Sequence, residues 1–187
     1  MALLVSAGCK GGETEAKSEP AEPEARSEPA EPTPKQPESP TVDLADGTLL
    51  TPYLALGERL AADRSDGLRE AAAALVQATA SRKGSAGVEE IEAAAARIGD
   101  GDIESARAAF REVSHALLRH LDTDAAAREG LTLVYCPMTF DNSGGYWVQR
   151  GEQIRNPYEG SRMLECGAVL SWDEGVAHRE RWAQAQQ

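Results

Sequence analysis

Four sulfur atoms in the last third of the chain could act on one ligand. Cys136 and Met138 stand two residues apart across Pro137, and Met163 and Cys166 stand three apart, near the two ends of the stretch Leu131 to Gly167. Thiolate and thioether are soft donors and select Cu(I) or a similar soft ion over Mg²⁺ or Ca²⁺. Thioethers stay neutral and form no disulfides, so methionine suits copper binding in an oxidising compartment. If a turn within the stretch brings its ends together, Cys136, Met138, Met163 and Cys166 converge as a metal site.

The same residues allow two other readings. Cys136 and Cys166 could form a structural disulfide, which an oxidising compartment favours. Closing a loop of about 31 residues would contribute ~3.5–4 kcal/mol in the chain-entropy model, and the methionines would then be ordinary core residues. Cys136 could instead be the nucleophile of a thiol enzyme, but no Cys-x-x-Cys, neighbouring histidine or helix N-terminus is present to lower a thiol pKa. No pair of carboxylates stands out for acid–base work either, so no catalytic residue is assigned and the protein is read as a non-enzyme.

Around this stretch the chain is simply organised. It has 187 residues with a formal charge of -12 and a pI near 4.7, which allows one domain plus extensions and argues against nucleic acid as a partner. No run reaches the ~18–20 apolar residues of a membrane span. Residues 1–9, MALLVSAGC, resemble the end of a bacterial lipoprotein signal, in which Cys9 would be acylated and become the mature N-terminus. The basic region and most of the apolar region of such a signal are missing, which leads us to expect a start further upstream. Residues 10–47 read as an acidic, proline-rich linker: Lys10 to Asp43 alone carries seven of the ten prolines and nine acids against four bases. Such a composition buries too little apolar surface to order itself. The protein is thus expected to lie outside the cytoplasm, touching a bacterial membrane only through a lipid on Cys9.

Residues 48–172 hold the expected domain. Leu49 to Asp63 has Thr51 as the expected N-cap and an apolar face of Tyr53, Leu56 and Leu60. Ser65 is expected to cap a second helix to about Arg82, and a third runs from about Gly87 to Ile98. Asp102 caps the fourth and most regular, in which Ile103, Ala106, Phe110, Val113, Leu117 and Leu121 form a narrow seam that also includes Ser114. Asp100, Asp102 and Glu104 lack the glycine and glutamate of a calcium loop and read as capping residues. His115 and His120, five apart, face different ways and read as surface residues. The period then changes. Leu131 to Cys136 and Tyr146 to Val148 read as strands around a turn at Asp141 to Gly145, with Ala168 to Leu170 as a third. Residues 173–187 read as a polar tail or short helix, with Trp182 docking. The fold class is therefore mainly α: an up-and-down bundle of about four helices with a small cysteine-containing β-hairpin region.

The run Tyr135-Cys136-Pro137-Met138, then Phe140-Asp141, Gly145-Tyr146-Trp147, Ile154-Arg155-Asn156-Pro157-Tyr158, Gly160, Met163-Leu164 and Cys166-Gly167 resembles the family called domain of unknown function 3347. Tyr53-Leu54, Asp102-Ile103-Glu104, Phe110 and Ser114 resemble its helical part. The resemblance covers about residues 49–169 and leaves the anchor and linker outside. Members of that family occur as secreted proteins or fused to periplasmic adaptors of copper and silver efflux pumps. The resemblance implies a periplasmic metal-binding role without enzyme activity, with Cys136, Met138, Met163 and Cys166 at the matched positions. The implied partners are a metal ion and an efflux adaptor or copper-accepting protein.

Overall fold

A computed structural model of the protein describes residues 48–185; Cys9 and the 10–47 linker lie outside them. The described part is mostly helical and ends in a small antiparallel sheet. Four helices come first: α1 (Leu50–Ala61), α2 (Leu68–Thr79), α3 (Val88–Ala95) and α4 (Ile103–Thr123). Neighbours in sequence pack on one another, and α1 also meets α4. The core between them is built from the expected stripes: Tyr53, Leu56 and Leu60; Leu68, Ala72 and Leu75; Val88, Ile91 and Ala95; Phe110, Val113, Leu117 and Leu121. Many facing positions are alanine, which lets the helix axes approach closely and leaves the larger side chains to fill the ends.

The helix starts differ from expectation in two places. Thr48, rather than Thr51, supplies the oxygen at the start of α1, accepting from Thr51 N at 3.3 Å. Ser65 does not cap α2 with its side chain, and the helix begins later, at Leu68, after Gly67 in the left-handed region. The free Arg69 N–H is taken instead by Asp100 Oδ1 at 2.8 Å, from the connection between α3 and α4. Asp102 caps its own helix through Glu104 N. Capping thus accounts for both aspartates, one locally and one across the fold, because a helix N-terminus leaves donors that any nearby carboxylate can satisfy.

The sheet has the order β2-β1-β3 and is antiparallel throughout, with strands β1 (Thr132–Cys136), β2 (Gly145–Gln149) and β3 (Ala168–Leu170). Between β1 and β2 lies a single turn, α5 (Thr139–Asn142), in which Phe140, Asp141 and Asn142 all have φ between 51° and 65°. The last helix, α6 (Trp172–Ala185), packs on the sheet face that carries Leu133, Tyr135 and Tyr146. Gly175 makes this possible, since a β-carbon there would collide with Leu133 Cδ2. One turn later His178 meets the ring of Tyr135 at 4.5 Å, and Arg179 grips both Asp122 oxygens at 2.7 and 2.6 Å. The C-terminal segment is therefore a docked helix. The side chain of Trp182 lies outside what is described.

Helices and sheet share one core through Tyr53, only 1% exposed. Its hydroxyl hydrogen-bonds Ser114 Oγ of α4 at 2.9 Å and accepts from Val148 N of β2 at 3.2 Å. Burial pushes the Tyr53 phenol up to about 12, so the hydroxyl keeps its proton. Tyr53→Phe keeps the ring and removes both bonds, leaving a buried amide and hydroxyl short of a partner. Urea denaturation should show a loss of roughly 1–3 kcal/mol; an unchanged midpoint would mean the hydroxyl links nothing.

Candidate metal centre

The sheet register decides which sulfurs meet. Tyr135 pairs with Ala168 and Cys136 with Gly145, so the chain entering β3 runs back past the end of β1. Cys136 Sγ lies 2.9 Å from Cys166 Sγ, and both are free thiols. Gly167, at φ +154°, permits the approach: a β-carbon there would stand 2.9 Å from Val134 Cγ1 and 3.0 Å from the Trp147 ring. Cys136 is fully buried, whereas Cys166 is half-buried. Beyond these two thiols, no third histidine, cysteine or carboxylate joins them among the described residues. A further donor to a metal held there has to be a thioether or a backbone oxygen.

Met138 and Met163 go elsewhere. Both line an open cavity of about 480 Å³ whose wall includes Thr139, Phe140 and Tyr158 but neither cysteine. Met138 is 53% exposed, one of two large apolar side chains among the described residues that face solvent to this degree. The structure thus brings the four expected residues together as two pairs, a buried thiol contact and a pair of thioethers on one cavity wall. That partition comes from the turn that begins at Met138. Phe140 holds its left-handed conformation because its ring is clamped, with Tyr158 at 5.1 Å on one side and the Arg111 guanidinium at 4.6 Å on another. Strain of this kind persists only where surroundings over-determine it.

Cys166 is positioned by a residue that the sequence marks only as a turn. Asn156, wholly buried, donates from Nδ2 to Cys166 O at 2.9 Å and accepts at Oδ1 from Tyr158 N and Glu159 N. Its own N–H donates to Leu164 O at 2.7 Å. One side chain therefore closes the loop that returns to the cysteine pair. An Asn-Pro in a long connection between strands is the visible signal, but a turn needs only its conformation, whereas this asparagine both donates and accepts through its side-chain amide. The loop is also fastened to the helices. Arg107, 5% exposed, donates to Pro157 O, Leu60 O, Asp63 Oδ1 and Glu104 Oε1.

His115 is not the surface residue that its spacing suggests. It is half-buried beside β2, with its ring edge-on to Tyr146 at 6.0 Å. Burial first, then Arg111, Arg119 and Arg179, lower it to about 4, so it is neutral at pH 7. Tyr146 in turn hydrogen-bonds His178 Nδ1. This aromatic and imidazole cluster lies on the sheet face opposite Cys136, since Tyr146 pairs with Tyr135 and Gly145 with Cys136.

No protein-family model, curated protein or solved structure matches the chain.

The hydrogen bond it shares with Cys136, burial and the neighbouring charge together push the Cys166 thiol from 9.0 up to about 11. Cys166 is therefore a protonated thiol at pH 7 and a poor nucleophile, and a soft ion bound by its sulfur must displace that proton. Alkylation of Cys166 by iodoacetamide, followed by peptide mass spectrometry, should keep accelerating up to about pH 11. In Cys136→Ser the profile should move back toward an ordinary thiol; a wild-type plateau near 9.0 would remove the coupling.

Proposed function

We propose that this is an extracytoplasmic soft-metal-binding protein, tethered through an acylated Cys9, that holds Cu(I) or a similar ion for buffering, delivery or efflux. Cys136 and Cys166 are its thiolate donors, while the other two expected ligands, Met138 and Met163, line a separate cavity. The observation that carries the reading is the contact between two free thiols at 2.9 Å, with a methionine two or three residues from each. Two soft donors already face each other at the strand ends, and their sulfurs must move apart to admit a soft monovalent ion between them. The raised thiol pKa makes binding release protons, so affinity should rise with pH. No catalytic role belongs to this reading.

The resemblance to domain of unknown function 3347, carried by the motif residues alone, supports the same assignment and a partner that gives or receives metal, either an efflux adaptor or a copper-accepting protein. We also infer that the four helices form an up-and-down bundle, which the packing of sequence neighbours and the return of α4 to α1 support. Among the described residues no helix is long and apolar enough to cross a membrane. Mass spectrometry of the native mature protein should find Cys9 first and lipid-modified; an intact Met1 would end the tether.

The thiol contact also favours one other reading, a structural module closed by a Cys136–Cys166 disulfide whose aromatic residues dock a partner protein. A thiol count on native protein prepared without reductant, followed by Cu(I) competition against bicinchoninate, separates the two. Two free thiols and a one-to-one complex that survives the competitor, lost in Cys136→Ser/Cys166→Ser, support the metal reading. No thiols and no complex of that strength would leave the disulfide module.

A further inference from the structure

From the separation of the sulfurs we infer that Met138 and Met163 form a second soft-cation site in the open cavity, one that needs neither thiol. The inference rests on the soft-metal reading for its choice of ion, but not on the redox state of the cysteines. The cavity of about 480 Å³ carries both thioethers on its wall and neither cysteine. Met138 is 53% exposed, although methionine is ordinarily a core filler. The side chain is thus open to solvent, whereas Cys136 is fully buried.

The rest of the wall suits a cation. Glu104, Asp141 and Glu159 face the cavity against a single guanidinium, Arg162, which is already paired with Glu159. Glu104 is paired from outside the cavity by Arg107, so the excess negative charge centres on Asp141. A further, independent sign is Thr139. It is 1% exposed and part of the wall, yet its Oγ1 has no hydrogen-bond partner among the described residues. A buried hydroxyl without a partner costs free energy, and here it belongs to the residue next to Met138, its oxygen closed to solvent until the wall shifts. Neutral thioethers with a nearby oxygen are a donor set for Ag(I) or Cu(I), while hard ions such as Mg²⁺ gain nothing from sulfur.

Binding here forms metal–thioether bonds and breaks only those to water, with no proton or electron transferred. It therefore continues when Cys136 and Cys166 are oxidised, and it is indifferent to pH over the range where carboxylates stay ionised. The buried dithiol and the open thioether site then differ in what they sense: the first depends on redox state and pH, the second on neither.

The test uses full-length Cys9→Ser/Cys136→Ser/Cys166→Ser protein, which carries no thiol, titrated calorimetrically with AgNO₃ in chloride-free buffer containing excess Mg²⁺. One Ag(I) per chain is expected, and Met138→Leu/Met163→Leu in the same background should lose it, with circular dichroism unchanged. Should the serine variant fail to fold, wild-type protein with no titratable thiol takes its place, compared with its own Met138→Leu/Met163→Leu form. No Ag(I) uptake, or equal uptake without the methionines, overturns the second site. Thiolate-strength Cu(I) binding by reduced wild-type protein is scored separately, so either reading can fail while the other stands.

Discussion

The Tyr53 hydroxyl is where the helical and β parts of this protein become one structure. It reaches Ser114 on α4 and the outward-facing amide of Val148 on β2. Strand β2 is an edge of the sheet, and an edge strand carries unpaired backbone groups that must be covered. The second of them, Tyr146 O, accepts from the hydroxyl of Tyr158. Two buried tyrosines thus take the place of a missing fourth strand. Their rings extend the core between layers, with Tyr53 stacked on Phe110 at 4.8 Å and Tyr158 edge-on to Trp147 at 5.7 Å. Aromatic rings with a polar end suit this position because they bury a large area and still satisfy a backbone group.

Everything that places sulfur follows from that sealed edge. With β2 held, β1 is held by the hairpin register, and β3 can only pair on the remaining side. The long loop from Arg150 to Gly167 must then cross from one edge of the sheet to the other. Asn156 folds it and Arg107 fastens it to the end of α1. Gly160 allows the closest contact, at φ +55°, where a β-carbon would strike Asp63 and Arg107. Asp63 feels burial, which would raise its pKa, but the bonds from Ser161 and Arg107 more than offset this and lower it. The ion pair is therefore made at neutral pH and is lost only as pH falls through the lowered value. The cysteine pair sits at the far end of the chain of contacts and inherits its rigidity.

The two kinds of sulfur end in environments that match their chemistry. Cys136, buried beside Trp147 and Val134, is screened from solvent oxidants while apposed to the one partner it could bond. Met138, whose thioether forms no disulfide, is the one of the four that faces solvent. The strand ends at Cys136 and Met138 has already left the extended conformation, at φ -89° and ψ -18°, which takes it off the pleat that carries a cysteine only two residues back. A hairpin with an ordinary two-residue turn would have kept the two side by side on the pleat.

Periodicity alone determined the four helices, their buried stripes, the place of Ser114 in the core and the three strands, because each depends on a local repeat of apolar residues that any packing of these elements must bury. The same sequence marked Cys136, Met138, Met163 and Cys166 by type. It could not say that they divide into pairs, that His115 is half-buried, or that the C-terminal helix docks through Gly175 and His178. Nor could it assign Asp100 to the start of α2 or Asn156 to the support of Cys166. Those outcomes depend on contacts between residues tens of positions apart. A hydrogen-bonding or ligating side chain carries no record in its own neighbourhood of which distant partner the strand register will bring to it.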